Sequence, residues 1–322
     1  MTNLNRFQKL LVLLVIVTVF PMVESCTTVP HEKIIFPDDH DDKETIHTIV
    51  SYNLYDDHLY LNTTFPMPGN GPEYIKKEIW EKEKNAIEEH QKRFKLFTDI
   101  IPAEFRQEIT QLTVFYPEEG SNVYAYIGAR KKSSLNQFSL GLAYDVERGK
   151  TQIPSFSAPG YQYNTLGYDM TTYAMIHEFG HYITKNKSQE YLNYFPESDT
   201  YGGVYKKESF MSKIIDISWE KVSELPDEIL ISMNPGKIFN ALPGDFVSAY
   251  ACSSMDEDGA ETFTHFVLLK DRPKDTDGKN KKILLFYNDP NMVKIRAEIR
   301  QNLQKAGIVP GLPNWSADPY AK

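Results

Sequence analysis

The sequence predicts an α+β protein. Three observations carry that reading. Strand-type segments crowd the part of the mature chain before residue 147, and helix-type segments follow residue 169. Hydrophobic residues make up 41% of the chain and aromatic residues 13%, enough for a sizeable core and too much for a disordered chain. Only two cysteines are present, so the fold does not rest on a disulfide framework. The formal net charge of −9 argues against a nucleic-acid partner held by phosphate neutralisation.

Residues 1–25 read as a signal peptide. Met1 to Lys9 is polar and carries Arg6 and Lys9, Leu10 to Phe20 is uninterruptedly apolar, and Pro21 breaks the run. Those 11 apolar residues are too few to cross a hydrocarbon layer of about 30 Å. Cys26 follows Val23, Glu24 and Ser25 and resembles the lipobox of bacterial lipoproteins, with Glu24 departing from that pattern. Lipidation at Cys26 would tether an extracytoplasmic protein to the cell membrane. A Cys26–Cys252 disulfide and cleavage near Ser25, leaving a secreted protein, are the other readings. Residues 26–45 form an acidic tether, in which His31 and His40 belong to a hydrated charge run.

Residues 46–322 then form the folded domain, with one lobe at about 46–185 and a second at about 186–322. Ile46 to Phe65 is rich in β-branched and aromatic residues and predicts one or two strands. Glu73 to Phe97 has a helical period. Ile109–Tyr116, Val123–Ala129 and Phe138–Val146 predict strands, and Glu147 to Tyr168 a loop. A helix is predicted over Met170–Thr184, capped by Asp169 or Thr171. Further helices are predicted over Phe210–Leu225, Phe246–Leu269 and Pro290–Ala306.

The chemistry lies in His177-Glu178-Phe179-Gly180-His181. On a helix, positions i and i+4 share a face, so both imidazoles can reach one ion. Zinc suits neutral imidazole in a tetrahedral site with one position open for water. Glu178 reaches that water rather than the metal and can act as a general base. The flanking Ala174, Met175, Ile176, Phe179, Tyr182 and Ile183 make the helix apolar nearly all round, so it is buried. Two His and a Glu there need partners. Gly180, unfavourable in mid-helix, suggests close approach of another element. The third ligand belongs to the downstream segment, where Glu257, Glu261 and His265 are spaced at i, i+4 and i+8. The metzincin continuation is absent, since Thr184 and Lys187 stand at its Gly and His positions.

HEFGH at 177–181, followed by FVSAYA at 246–251 and EDGAETF at 257–263, resembles the zinc-binding metallopeptidases of the gluzincin type. The stretches 122–146 and 281–300 extend the resemblance over roughly residues 100 to 302, with Gly259 a departure where a larger apolar residue is usual. The resemblance implies a zincin-like fold: an N-terminal lobe with a twisted sheet and the active-site helix, then a mostly helical C-terminal lobe. It implies Zn²⁺ on His177, His181 and Glu261, with Glu257 and His265 supporting the ligands from behind. Peptide or protein is the implied substrate, and the open strand that binds it is expected at Asn136–Tyr144. Tyr250 is the candidate oxyanion donor, with Tyr201, Tyr205 and His265 as rivals. Two other functions remain open in the sequence: a surface lipoprotein that uses the scaffold for binding without turnover, and a structural zinc site. Glu178 favours catalysis over the first, and three protein ligands rather than four argue against the second.

Overall fold

The structure, a computed structural model, describes residues 47–69, 73–118, 123–131, 134–146, 168, 170–190, 205–232 and 234–308. The signal segment, Cys26, the acidic tether, Asp169 and Tyr201 lie outside the described residues. The five strands lie between His47 and Ala143, interrupted by two helices over Lys77–Thr98, and the remaining described helices follow, giving an α+β chain.

The segment expected as one or two strands is a hairpin of β1 (His47–Tyr55) and β2 (His58–Thr64). Its two-residue turn puts Asp56 at φ 48° and Asp57 at φ 62°. Positive φ at both positions matches the strand twist, and aspartate tolerates it better than most residues. Gln91 donates to the Asp57 carbonyl at 2.8 Å, and Arg106 pairs with the Asp57 carboxylate, which holds the turn.

β3 (Ile109–Tyr116) runs antiparallel to β1 and parallel to β5 (Ser134–Ala143), and β4 (Ala125–Lys131) lies antiparallel to β5. The order β2-β1-β3-β5-β4 puts β2 at one edge and β4, beside β5, at the other. The Asn136–Tyr144 stretch expected at an open edge is interior, because β3 takes one side of β5 and β4 the other. Its unbroken burial from Phe138 to Ala143 is the pattern of a strand covered on both faces. Gly141 allows the edge to be locked: a Cβ there would lie 1.9 Å from the Tyr126 ring, which crosses over β5. The Tyr126 hydroxyl then meets Thr113 Oγ1 of β3 at 2.6 Å.

The helix expected from Glu73 to Phe97 is two helices, α1 (Lys77–Glu83) and α2 (Ile87–Thr98). They serve different cores. Trp80 of α1 packs with Ile49, Ile75 and Tyr116, whereas Phe94 and Phe97 of α2 join the main core. Asn85, a weak helix former, sits in the break. The remaining helices are α3 (Met170–Lys185), α4 (Phe210–Val222), α5 (Asp227–Ser232), α6 (Pro235–Ala241), α7 (Met255–Leu268), α8 (Gly278–Tyr287) and α9 (Pro290–Lys305). Thr171 falls inside the first turn of α3 rather than at its cap.

The helix expected over Phe246–Leu269 begins only at Met255. Ser254 caps it by accepting from the Glu257 amide at 3.1 Å, and a 3₁₀ turn, Tyr250–Cys252, precedes it. At its other end α9 supplies two arginines. Arg296 donates to Phe266 and Leu269 carbonyls, and Arg300 to those of Val267, Leu268 and Leu269. The orphan carbonyls of α7 are thereby satisfied. One contiguous core runs from Leu112 and Leu140 of the sheet through Phe179 of α3 to Phe263 of α7, Phe286 of α8 and Ile299 of α9. Among the described residues, no helix is long and apolar enough to cross a membrane.

Candidate metal centre

α3 is buried along almost its whole length, with Met175, Ile176 and Phe179 at 0% exposure. Its closest helical partner is α7. A Cβ on Gly180 would stand 2.9 Å from the Ala260 carbonyl oxygen and 3.0 Å from its Cα. The glycine lets the two backbones meet, as its place in the motif suggested.

Close contact brings facing side chains into a ladder. Tyr173, His177, His181 and Lys185 occupy successive turns on one face of α3. Across from them, Tyr173 meets Glu261, His177 meets Glu261 and Glu257, His181 meets Glu257, and Lys185 meets Asp256. The numbering falls on α7 as it rises on α3, so the pair is antiparallel.

The centre of the ladder is the candidate metal centre. His177 Nε2 lies 3.0 Å and His181 Nε2 3.6 Å from the same oxygen, Oε2 of Glu257. One ligand atom from each of these residues lies within 4.8 Å of the others. Zinc–ligand bonds of 2.0–2.2 Å at tetrahedral angles put ligand atoms about 3.3 Å apart, so this donor set fits zinc.

Glu261, expected to share the ion, faces the other side of the same ring. Its Oε1 is 2.9 Å from His177 Nδ1. It is 0% exposed and also accepts from the Tyr173 hydroxyl at 2.7 and 2.8 Å and from Ser248 Oγ at 2.5 Å. The two glutamates therefore exchange their expected places: Glu257 stands with both Nε2 atoms and Glu261 stands behind His177. Helix register explains the exchange. Glu257 is in the first turn of α7, beside His181, and Glu261 one turn deeper, beside Tyr173.

The charges interlock. Burial lowers the proton affinity of His177, but its hydrogen bonds to Glu257 and Glu261 lift it well above the ordinary value. Burial pushes Glu257 up, and the two imidazoles pull it well below the usual carboxylate range. Two carboxylates on one imidazole demand positive charge between them, and a divalent cation at Nε2 would supply it.

Glu178 points away from this ladder towards the sheet. Its Oε2 accepts the Ile127 amide of edge strand β4 at 2.9 Å. Burial raises its pKa, with His181 and His177 opposing. Tyr124 and Tyr126 carry the hydrogen bonds to β5, as the Ala143 amide on the Tyr124 carbonyl shows. Ala125 and Ile127 therefore turn their backbone groups to the open edge, beside Glu178.

Tyr250 comes to the site, its ring centroid 5.7 Å from that of His177. Among its described rivals, the Tyr205 hydroxyl donates to Asp256, and His265, expected to support a ligand, donates Nδ1 to the Glu261 carbonyl at 2.8 Å. Asp258, beside Glu257, is 0% exposed and receives Lys282 at 2.6 Å on both oxygens and Trp219 Nε1 at 3.0 Å. That buried pair fixes the rotation of α7 from behind.

Sequence reasoning missed Tyr173, Ser248 and the Ile127 amide. Tyr173 was visible as the i−4 position of His177. Ser248 and Ile127 reach the site only through the tertiary fold. Compared with protein-family models, curated proteins and solved structures, the chain matches none.

Proposed function

We propose that the chain is a zinc-dependent metallopeptidase on a zincin-like scaffold. The observation that carries this reading is the convergence of His177, His181 and Glu257 beside a Glu178 that sits on the open edge strand. The two imidazoles and Glu257 would hold Zn²⁺, leaving one position open. Bound there, zinc supplies an acidified water and polarises the scissile carbonyl.

The chain's own residues do the rest. An extended peptide lies against β4, pairing with the outward backbone groups of Ala125 and the Ile127 carbonyl. Glu178 takes the proton from the attacking water and returns it to the leaving amine. Burial raises the proton affinity of Glu178, the direction a general base needs. Glu261 holds the Nδ1 hydrogen of His177 so that Nε2 faces the ion. Tyr250, beside His177, donates to the developing oxyanion. A signal segment ending at Cys26 supports an extracytoplasmic, lipid-tethered enzyme.

The test is metal analysis of the purified chain joined to a peptide-library cleavage screen, with Glu178→Gln as control. Stoichiometric zinc and cleavage lost in the variant are expected. Cleavage that survives metal chelation would sink the proposal. Mass spectrometry of the mature N-terminus tests the tether, and an unmodified Cys26 would remove it.

A further inference from the structure

The segment Phe246–Ala251 is part of the sequence resemblance, yet only Tyr250 has an expected role in it. Its Ser248 is buried at 7% exposure. Ser248 Oγ accepts the Ala251 amide at 3.1 Å, which fixes the hydroxyl, and its one hydrogen goes to Glu261 Oε2 at 2.5 Å. Tyr173, 3% exposed, sits one turn before His177 and reaches both Glu261 oxygens, at 2.7 and 2.8 Å. The Glu261 carboxylate is sealed from water and held by a hydroxyl from α3, a hydroxyl from the segment before α7, and His177 Nδ1. Its rotamer is set from three directions.

That arrangement has a consequence for His177. A neutral imidazole carries one hydrogen, and the nitrogen that keeps it is the one facing a fixed acceptor. With Glu261 immobilised against Nδ1, a cation placed between Nε2, His181 and Glu257 would find the lone pair on Nε2.

We propose that Tyr173 and Ser248 are positioning residues of the zinc centre, locking Glu261 so that His177 keeps its hydrogen on Nδ1 and aims Nε2 at the metal. The proposal rests on the zinc reading above. Both hydroxyls reach the centre through Glu261, and the Tyr173 ring also stacks on His177.

The experiment measures Zn²⁺ affinity of the mature full-length chain by competition with a chromophoric chelator. The variants are Tyr173→Phe and Ser248→Ala, alone and combined with Glu261→Gln. Tyr173→Phe removes one oxygen and keeps the ring that stacks on His177 at 6.4 Å. Each single variant should weaken zinc roughly tenfold, the low end for outer partners of a ligand. In the Glu261→Gln background each should change affinity less than about twofold, because residues acting through one group are not additive. A role in packing alone would lower the melting temperature without this dependence on Glu261. Parent-like zinc affinity in both single variants overturns the proposal, as does a fully additive loss in the double variants. Should Tyr173→Phe fail to fold, Ser248→Ala carries the same test. A parent chain that takes up no zinc overturns the zinc reading itself, so the two failures are distinct.

Discussion

Two buried clusters in this molecule are built from the same parts and end differently. Under the sheet, the Tyr52 hydroxyl meets His90 Nδ1 at 2.7 Å and His90 Nε2 meets Glu83 at 3.0 Å. Between α3 and α7, Tyr173 meets Glu261, Glu261 meets His177, and His177 meets Glu257. Tyrosine, histidine and glutamate form both chains. In the first, Glu83 also takes Arg93 at 2.5 Å, so one carboxylate faces a guanidinium and an imidazole and the network is closed. In the second, Glu178, Glu257 and Glu261 are held by imidazoles, hydroxyls and one backbone amide. The neighbouring lysines are spent on Asp256 and Asp258. A closed network is scaffold, whereas a surplus of carboxylate around two aligned imidazoles asks for a cation.

The largest effect that separates the clusters is catalytic. Glu178→Gln should lower peptidase activity about 10³-fold, within the usual range for a proton-transfer group, and keep its zinc. Glu83→Gln should leave zinc content and kcat/KM of the folded protein near the parent's. Equal losses in both variants would erase the distinction. The next effect is on the metal. Glu257→Ala should release zinc on dialysis, while Glu261→Ala should weaken it only ~10–100-fold. The opposite ranking would restore Glu261 as the third ligand and shift α7 by one turn.

The closed cluster makes its own prediction, in acid. Burial pushes Glu83 up, but hydrogen bonds from His90 and Arg93 and the Arg93 charge bring it down to about 2 from 4.5. A carboxylate depressed in the folded state stabilises the fold above its unfolded value. That stability disappears as pH falls through the folded value. Glu83 should therefore contribute on the order of 1–2 kcal/mol at neutral pH once solvent screening is allowed for, lost between roughly pH 4.5 and 2. Urea unfolding of parent and Glu83→Gln should differ by that amount at pH 7 and converge near pH 2. Parallel curves across this window would contradict the network.

The clusters also differ in how plainly the sequence announces them. His177 and His181 follow a helical spacing that puts them on one face, so the part of the cluster on α3 was legible. Glu83 and His90 sit seven apart across a helix break, on a face that reads as solvated, and nothing local marks them as buried. The strand–helix order was legible for the same reason as the motif, since period and turn residues are local signals. What was not legible depends on partners far along the chain. The edge lies at β4 rather than β5, the carboxylate nearest both Nε2 atoms is Glu257 rather than Glu261, and α8 escaped notice because Lys279 and Lys282 interrupt its apolar face while being buried themselves.

The smallest predicted effect tests the contact on which the open cluster depends. Gly180→Ala pits two principles against each other. Helix propensity alone says that alanine in mid-helix stabilises by about 1 kcal/mol. The geometry says otherwise, because the new Cβ would meet the Ala260 carbonyl oxygen at 2.9 Å and Phe263 at 3.3 Å. The first of these is backbone and cannot swing aside, and forcing a methyl into such a contact typically costs 1–3 kcal/mol. The net expectation is a loss of up to about 2 kcal/mol in urea unfolding with an unchanged slope. Because α7 must retreat from α3 to admit the methyl, Glu257 leaves the two imidazoles, and zinc affinity should fall several-fold. Acid unfolding through the Glu83 window should keep its shape, since that cluster sits on α1, α2 and β1. A variant that is stabilised by about 1 kcal/mol would mean that propensity alone governs the site and that the two helices do not touch there.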